Sequence, residues 1–352
     1  MYNQPAFIRK PNSLGIDEPA FIKKPVALGI DVGYSSTKFS YMNGEEIVTG
    51  SFPSIALRGS RATFGSAMES MGAREADLRI EVDGAVYLVN TSELEVISSS
   101  AIRTENDEFS TTKEYTALVY SAMLQSQLRD ISELVLALPM HTFTAYAPLL
   151  MQKFRGRHEF GHGAFTIHNV SVLPQPVGAY SYLRYKNPSA FVAGTFCCVI
   201  DCGWNTTDTF TSSPGFKIDH ERSGGLPGGA ARVLREISAL LQRKYKGRFS
   251  NLDRIDQSIV NETPLIHLGE EIDLTPFLQA ALHVTVPIAR SVLTTIKTAE
   301  DLTIFLAGGA GHYYRAALRE TLGCNVKLLD NPRFANAIGF MLAGESFCRG
   351  RR

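Results

Sequence analysis

Two stretches of the sequence set an acid, a glycine and hydroxyl side chains at the end of an apolar run: LGIDVGYSSTK at residues 28–38 and CVIDCGWNTTD at 198–208. In each, the glycine stands two residues after the acid, Gly33 after Asp31 and Gly203 after Asp201. A glycine there lets the chain turn sharply with its backbone N–H groups exposed, and Ser35, Ser36 and Thr206 add hydroxyl donors. Two such turns facing one another can clasp a polyphosphate. Asp31 and Asp201 would then hold Mg²⁺ through water, because that ion gives up its hydration reluctantly, and Lys38 would set a positive charge against the phosphates. Either stretch alone reads as an ordinary β-turn after a buried strand; only the two in register point to a site. Neither a Gly-x4-Gly-Lys-Ser/Thr loop nor a Gly-x-Gly-x-x-Gly following a strand occurs, so a nucleotide would be bound by other means.

Other reactive side chains read as structural. Cys197, Cys198 and Cys202 cluster in an apolar run with no second pair or histidine at metal spacing, which makes them buried strand residues. His141, in LPMHTF, reads as a structural histidine near a strand end, and Asp208 as a loop cap. No serine–histidine–acid or comparable nucleophile pattern supports covalent catalysis.

The elements that must carry these turns follow from periodicity. Strands are expected at 26–31, 36–42, 46–49, 79–81, 85–90, 133–138, 165–173, 196–201, 206–211, 302–306 and 325–329. Helices are expected at 113–128, at 228–244, and at 274–297 with a break near Pro287. Strands open each half and helices follow, an α/β chain of two similar halves starting near 26 and 196. The 352 residues suffice for two domains of ordinary size. The segment 58–78 lacks a clear period and reads as an exposed, mobile loop, and the terminal CRGRR as a solvated basic tail.

Residues 5–17, PAFIRKPNSLGID, are nearly repeated at 19–31, PAFIKKPVALGID, with ten of thirteen positions identical. The second copy carries Val26, Ala27, Leu28 and Ile30 into a strand; the first has Asn12 and Ser13 in that place, and residues 1–24 read as an extended arm. The first copy is either a tolerated duplication or a segment that binds an adjacent subunit through Phe7 and Ile8.

Formal net charge is zero, so no whole-molecule field draws the chain to nucleic acid or an anionic membrane. Apolar runs such as SALLQ and FLAGGAG fall short of the roughly 20 residues of a membrane span, and the N-terminus lacks a signal-peptide apolar region. With five cysteines, an odd number, a reducing compartment and a cytoplasmic location are expected.

The order of these motifs resembles the superfamily of actins, heat-shock chaperones and sugar kinases, and within it the bacterial plasmid-segregation actins of the ParM/StbA type, over roughly residues 26–345. The resemblance implies an actin-like, ribonuclease H-like duplicated two-domain fold with the nucleotide in the interdomain cleft. Domain I would comprise 25–174 plus 330–352, and domain II 175–329. The first phosphate loop corresponds to Asp31–Lys38, including Gly33, Tyr34, Ser35 and Ser36, and the second to Asp201–Asp208, including Gly203, Trp204, Asn205 and Thr206. Tyr34, Trp204 and Asn205 depart from the small residues usual there. VLPQPVGAY at 172–180 matches the segment that opens the interdomain helix, with Gln175 at the catalytic position beside Asp31 and Asp201. TIFLAGGAGHYY at 303–314 resembles the turn against the adenosine, through Gly308, Gly309 and Gly311. ERSGGLPGGAARVLRE at 221–236, with Gly224 and Gly225, resembles the segment bordering the ribose and base, and LDNPRFANAIGFML at 329–342 the return into domain I. The activity implied is a Mg²⁺-dependent ATPase, with GTP as the alternative nucleotide, that polymerises with itself and moves plasmid DNA through a DNA-binding adaptor. Two other classes remain open: a small-molecule kinase on the same fold, and a non-polymerising nucleotide-dependent switch or chaperone.

Overall fold

The computed structural model describes residues 26–59, 77–90, 106–191 and 194–351. The duplicated arm and most of the expected loop at 58–78 lie outside the described residues.

The chain opens with an antiparallel meander, β1 (Ala27–Val32), β2 (Ser36–Asn43) and β3 (Glu46–Pro53). A small three-stranded sheet follows, made of β4 (Ala56–Arg58), β5 (Asp77–Val82) and β6 (Ala85–Asn90). Helix α1 (Lys113–Ser126), capped by the Thr112 hydroxyl accepting from the Tyr115 N–H, leads into β7 (Asp130–Leu138). Helix α2 (Met140–Phe154), β8 (Gly156–Glu159) and β9 (Ala164–Pro174) complete a six-stranded sheet ordered β3-β2-β1-β7-β9-β8. Its centre, β1 beside β7 beside β9, is parallel. Every residue of β1 is buried, as expected of a strand covered on both faces.

After α3 (Gln175–Lys186) the pattern repeats. Strands β10 (Phe196–Cys202), β11 (Thr206–Ser212) and β12 (Gly224–Pro227) form a second antiparallel meander. Helices α4 (Ala230–Tyr245) and α5 (Leu252–Val260) and the hairpin β13 (Leu265–His267) and β14 (Glu270–Ile272) come next. Helices α6 (Thr275–Ala281) and α7 (Val286–Ile296), then β15 (Leu302–Ala307), α8 (Gly311–Leu322), β16 (Val326–Leu328) and α9 (Ala335–Gly350), close the chain. The second sheet is ordered β12-β11-β10-β15-β16, with β10, β15 and β16 parallel. Strand for strand this repeats β3-β2-β1-β7-β9 in order and direction, so the halves are two copies of one topology.

Each sheet has its own core, and a third apolar cluster joins them. There α3 and α9 bury Tyr180, Leu183, Ile338 and Met341 against Val199, Phe210 and Phe305 of the second sheet. Helices α3 and α9 cross so closely that a Cβ at Gly339 would overlap the Gly178 carbonyl oxygen. Only glycine permits that approach.

The break expected near Pro287 is a 3₁₀ turn, Leu282–Thr285, between α6 and α7, with the proline in the first turn of α7. Contrary to the expectation that no apolar segment reaches spanning length, the 22 residues Thr275–Ile296 do so by length and composition. They pack Phe277, Ala281, Ile288, Val292 and Ile296 into the second core. The three clustered cysteines are buried in β10, and burial pushes the Cys197 thiol up to about 12 and Cys198 up to about 11. At the basic C-terminus Arg349, Gly350 and Arg351 are exposed, as expected, while Cys348–Gly350 are helical and the Arg351 guanidinium donates to the buried carboxylate of Glu133.

Candidate functional site

The two Asp–Gly turns are closed in the same way. The Gly33 N–H donates to the Ser36 carbonyl at 3.2 Å, and the Gly203 N–H to the Thr206 carbonyl at 2.8 Å. In each hairpin the acid pairs across the register with the residue seven positions on, Asp31 with Lys38 and Asp201 with Asp208. The antiparallel pairing forces this, because a four-residue connection returns the chain opposite its starting strand. Both turns open onto one cavity of about 420 Å³, at the carboxyl ends of β1 and β10.

Charge is distributed unequally between the hairpins. Asp31 accepts from Gln175 Nε2 at 3.0 Å and lies 3.8 Å from Lys38 Nζ, which also donates to the Ser36 carbonyl. Asp201 is buried and accepts from Asn336 Nδ2 at 2.7 Å. Burial pushes its carboxyl up to about 7, with the neighbouring Asp31 and Asp208 adding to the rise while Asn336 and Lys38 oppose it. Asn336 is held in turn by the Ala179 N–H, which donates to its Oδ1 at 3.1 Å. Gly308, at φ 84°, sits where a Cβ would overlap the Cys202 carbonyl oxygen.

Asp208 faces another way. Its Oδ1 accepts from the Met140 N–H at 3.2 Å, so the second half caps the first turn of α2 in the first half. Burial pushes this carboxyl up to about 6, while bonds to Thr206 and Met140 and the nearby His141 hold it lower than burial alone would. His141 itself pairs with Asp107 at 3.0 Å.

Of the residues singled out in the sequence, the cavity brings together Asp31, Gly33, Tyr34, Ser35, Ser36, Lys38, Gln175, Asp201, Gly203, Trp204, Thr206, Gly308 and Gly309. Trp204 also packs into the second core. Asn205, Gly224, Gly225 and Gly311 do not line it. Gly224 and Gly225 belong to β12, paired with Thr209 and Asp208, and Gly225 looks toward His141; from their segment it is Ala230, at the start of α4, that reaches the cavity.

Sequence reasoning missed the far wall. Helix α5 presents Asp253, Asp256, Gln257, Val260 and Asn261 on one face. In the sequence this polar spacing looks like any solvated helix face. The cavity is also lined by His312, Arg333 and Asn336, of which the last two lie in a stretch noted for its connection and not for its side chains. Tyr313 donates to Asp256 Oδ1 at 2.6 Å; burial raises the Asp256 carboxyl and lowers the neighbouring His312.

Among the described residues no group of three or more histidine, cysteine or acidic side chains is placed to hold a metal by itself. The two carboxylates at the turns, Asp31 and Asp201, both buried, form an oxygen donor set that suits a hard divalent cation keeping most of its water.

Two sheets that share one five-strand order, joined by crossing helices and enclosing a cavity between matched Asp–Gly turns, define a two-domain actin-like fold. Residues 29–178 match the family model of the actin like proteins N terminal domain. In fold the chain is of the ParM type. It superposes on Ta0583, an archaeal actin homolog, with a TM-score of 0.72 at 19% identity, covering 91% of this chain and 99% of that one. It superposes equally on the subunit of a 15-stranded ParM filament from Clostridium botulinum, with a TM-score of 0.71 at 21% identity and coverage of 92% and 100%. The archaeal homolog has also been seen in complex with ADP, and in that form the TM-score is 0.68 at 19% identity, covering 91% and 99%. No curated protein matches the chain in sequence.

Proposed function

We propose that the chain is a Mg²⁺-dependent, polymerising actin-like ATPase that positions plasmid DNA through a DNA-binding adaptor, its two domains being residues 25–174 plus 330–352 and residues 175–329. The observation that carries this reading is the pair of matched turns on one cavity, with Gln175 bonded to Asp31 between them. The ADP complex and the filament of its structural relatives support nucleotide binding and self-association.

In the reaction, water adds to the γ-phosphorus and the bond to the bridging oxygen breaks, giving ADP and inorganic phosphate with the proton released to solvent. The Lys38 ammonium and the Ser36 hydroxyl stabilise the developing charge, the Gly33 and Gly203 N–H groups being spent on closing their turns. Gln175 spends its N–H donor on Asp31, which leaves its Oε1 to accept from the attacking water and orient it. A carboxamide is too weak a base to take the proton, so Gln175 positions and turnover is slow. Asp31 and Asp201 would hold Mg²⁺ through water, and the ion would neutralise charge on the phosphate oxygens.

The test is sedimentation together with phosphate release, with Mg-ATP, for wild type and Gln175→Ala. The expected result is that both pellet while the variant releases phosphate about a hundredfold more slowly. Wild-type protein that hydrolyses ATP but never pellets over a wide concentration range would overturn the filament reading; hydrolysis that requires an added acceptor would favour a kinase.

A further inference from the structure

Strands β13 and β14 are joined by a two-residue turn, Leu268–Gly269, with His267 facing Glu270. Both turn residues have left-handed backbone, φ 51° at Leu268 and 86° at Gly269, the geometry of a type I′ turn in which Asn-Gly is favoured. Leucine is a poor choice there on conformational grounds, and its side chain is 92% exposed. Two unfavourable features thus meet at one residue. The hairpin beneath it is rigidly held: Arg254 donates to the Ile266 carbonyl, His267 stacks on Phe249 with ring centroids 4.2 Å apart, and Leu265 and Ile272 are buried in the second core. The result is a firm apolar knob with an acidic rim, the exposed Glu270 and Glu271.

The first half of the chain presents a surface of opposite character. On α2, Leu149 is 46% exposed, with Pro148 exposed beside it. Lys153 and Arg155 make the end of this face basic. An acid-rimmed apolar knob and a base-ended apolar face complement one another in charge. They lie on different surfaces of the chain, so a contact between them is heterologous, and a heterologous contact that does not close on itself propagates as a filament.

We propose that the Leu268 knob of one copy seats on the exposed Leu149 side of α2 in the next copy. This rests on the filament reading above and names a contact that builds it.

The test measures critical concentration by pelleting with Mg-ATP for wild type, Leu268→Asn, Leu149→Glu and a deletion of residues 2–18. Asparagine suits the turn, so L268N should melt no lower than wild type, and phosphate release at subcritical concentration should be unchanged in both point variants. The critical concentration should rise about tenfold or more in each point variant. Either point variant assembling like wild type overturns the contact while leaving the filament reading intact. If deletion of 2–18 reproduces the L268N effect and L149E has none, the arm occupies the knob and the proposal fails. Wild type that never pellets overturns the filament reading itself, and the contact with it.

Discussion

At the scale of single residues, the site is built from acids whose charge the surrounding side chains do not fully compensate. Asp208 shows this without any part in ligand binding: its folded-state pKa of about 6 lies above the roughly 3.9 of a free aspartate. Between those values the folded state holds a proton that the unfolded chain has released, so this group's contribution to stability is greatest below about pH 4 and is lost as pH rises through 6. Asp208→Asn keeps an acceptor for the Met140 N–H and removes the charge. Melting curves with chelator present, from pH 4 to 8, should show wild type losing stability over that window and the variant losing on the order of 1–3 kcal/mol less. A variant with the wild-type slope would mean that the helix-cap bond already stabilises the anion fully.

At the scale of elements, the α3–α9 crossing depends on bare backbone. Gly339→Ala should destabilise by about 3 kcal/mol or more in chemical denaturation, because the overlap is with a carbonyl of the facing helix and not with a flexible side chain. Gly350→Ala, which meets nothing within 4 Å near the end of the same helix, serves as the control and should be near neutral. The strands were legible in the sequence because buried parallel strands are continuous apolar runs; β1, β7, β10 and β15 lie within a few residues of their expected spans. The short strands β4, β8, β13 and β14 were not, since three or four residues carry too little pattern to separate strand from turn. Half of the candidate site was legible for a related reason: the Asp–Gly turns are local, so their chemistry is contiguous in sequence. The α5 wall and Asn336 owe their place to tertiary packing, and nothing in their own neighbourhood in the chain distinguishes them from solvated residues.

At the scale of the whole molecule, the cavity takes its walls from both sheets, so a ligand filling it binds the two halves to each other. Mg-ATP at about a hundred times its dissociation constant should add about 2.7 kcal/mol of stability. Calorimetry should show any separate unfolding of the halves merging into one transition; two transitions that persist unchanged with nucleotide would argue against a cleft shared in this way. The crossing at Gly178 and Gly339 sets how such a cleft can move. Two packed rods whose backbones come closest at one crossing turn most readily about it, and parts near the crossing travel little while the tips travel far. Gln175 and Asn336 each lie three residues from that point, roughly 4.5 Å along the helix axis, whereas Gly350 lies about 16 Å away. A rotation of about 5° would shift the two site residues by about 0.4 Å and the far end of α9 by about 1.4 Å. The halves can therefore swing while the groups that grip the cavity keep their aim.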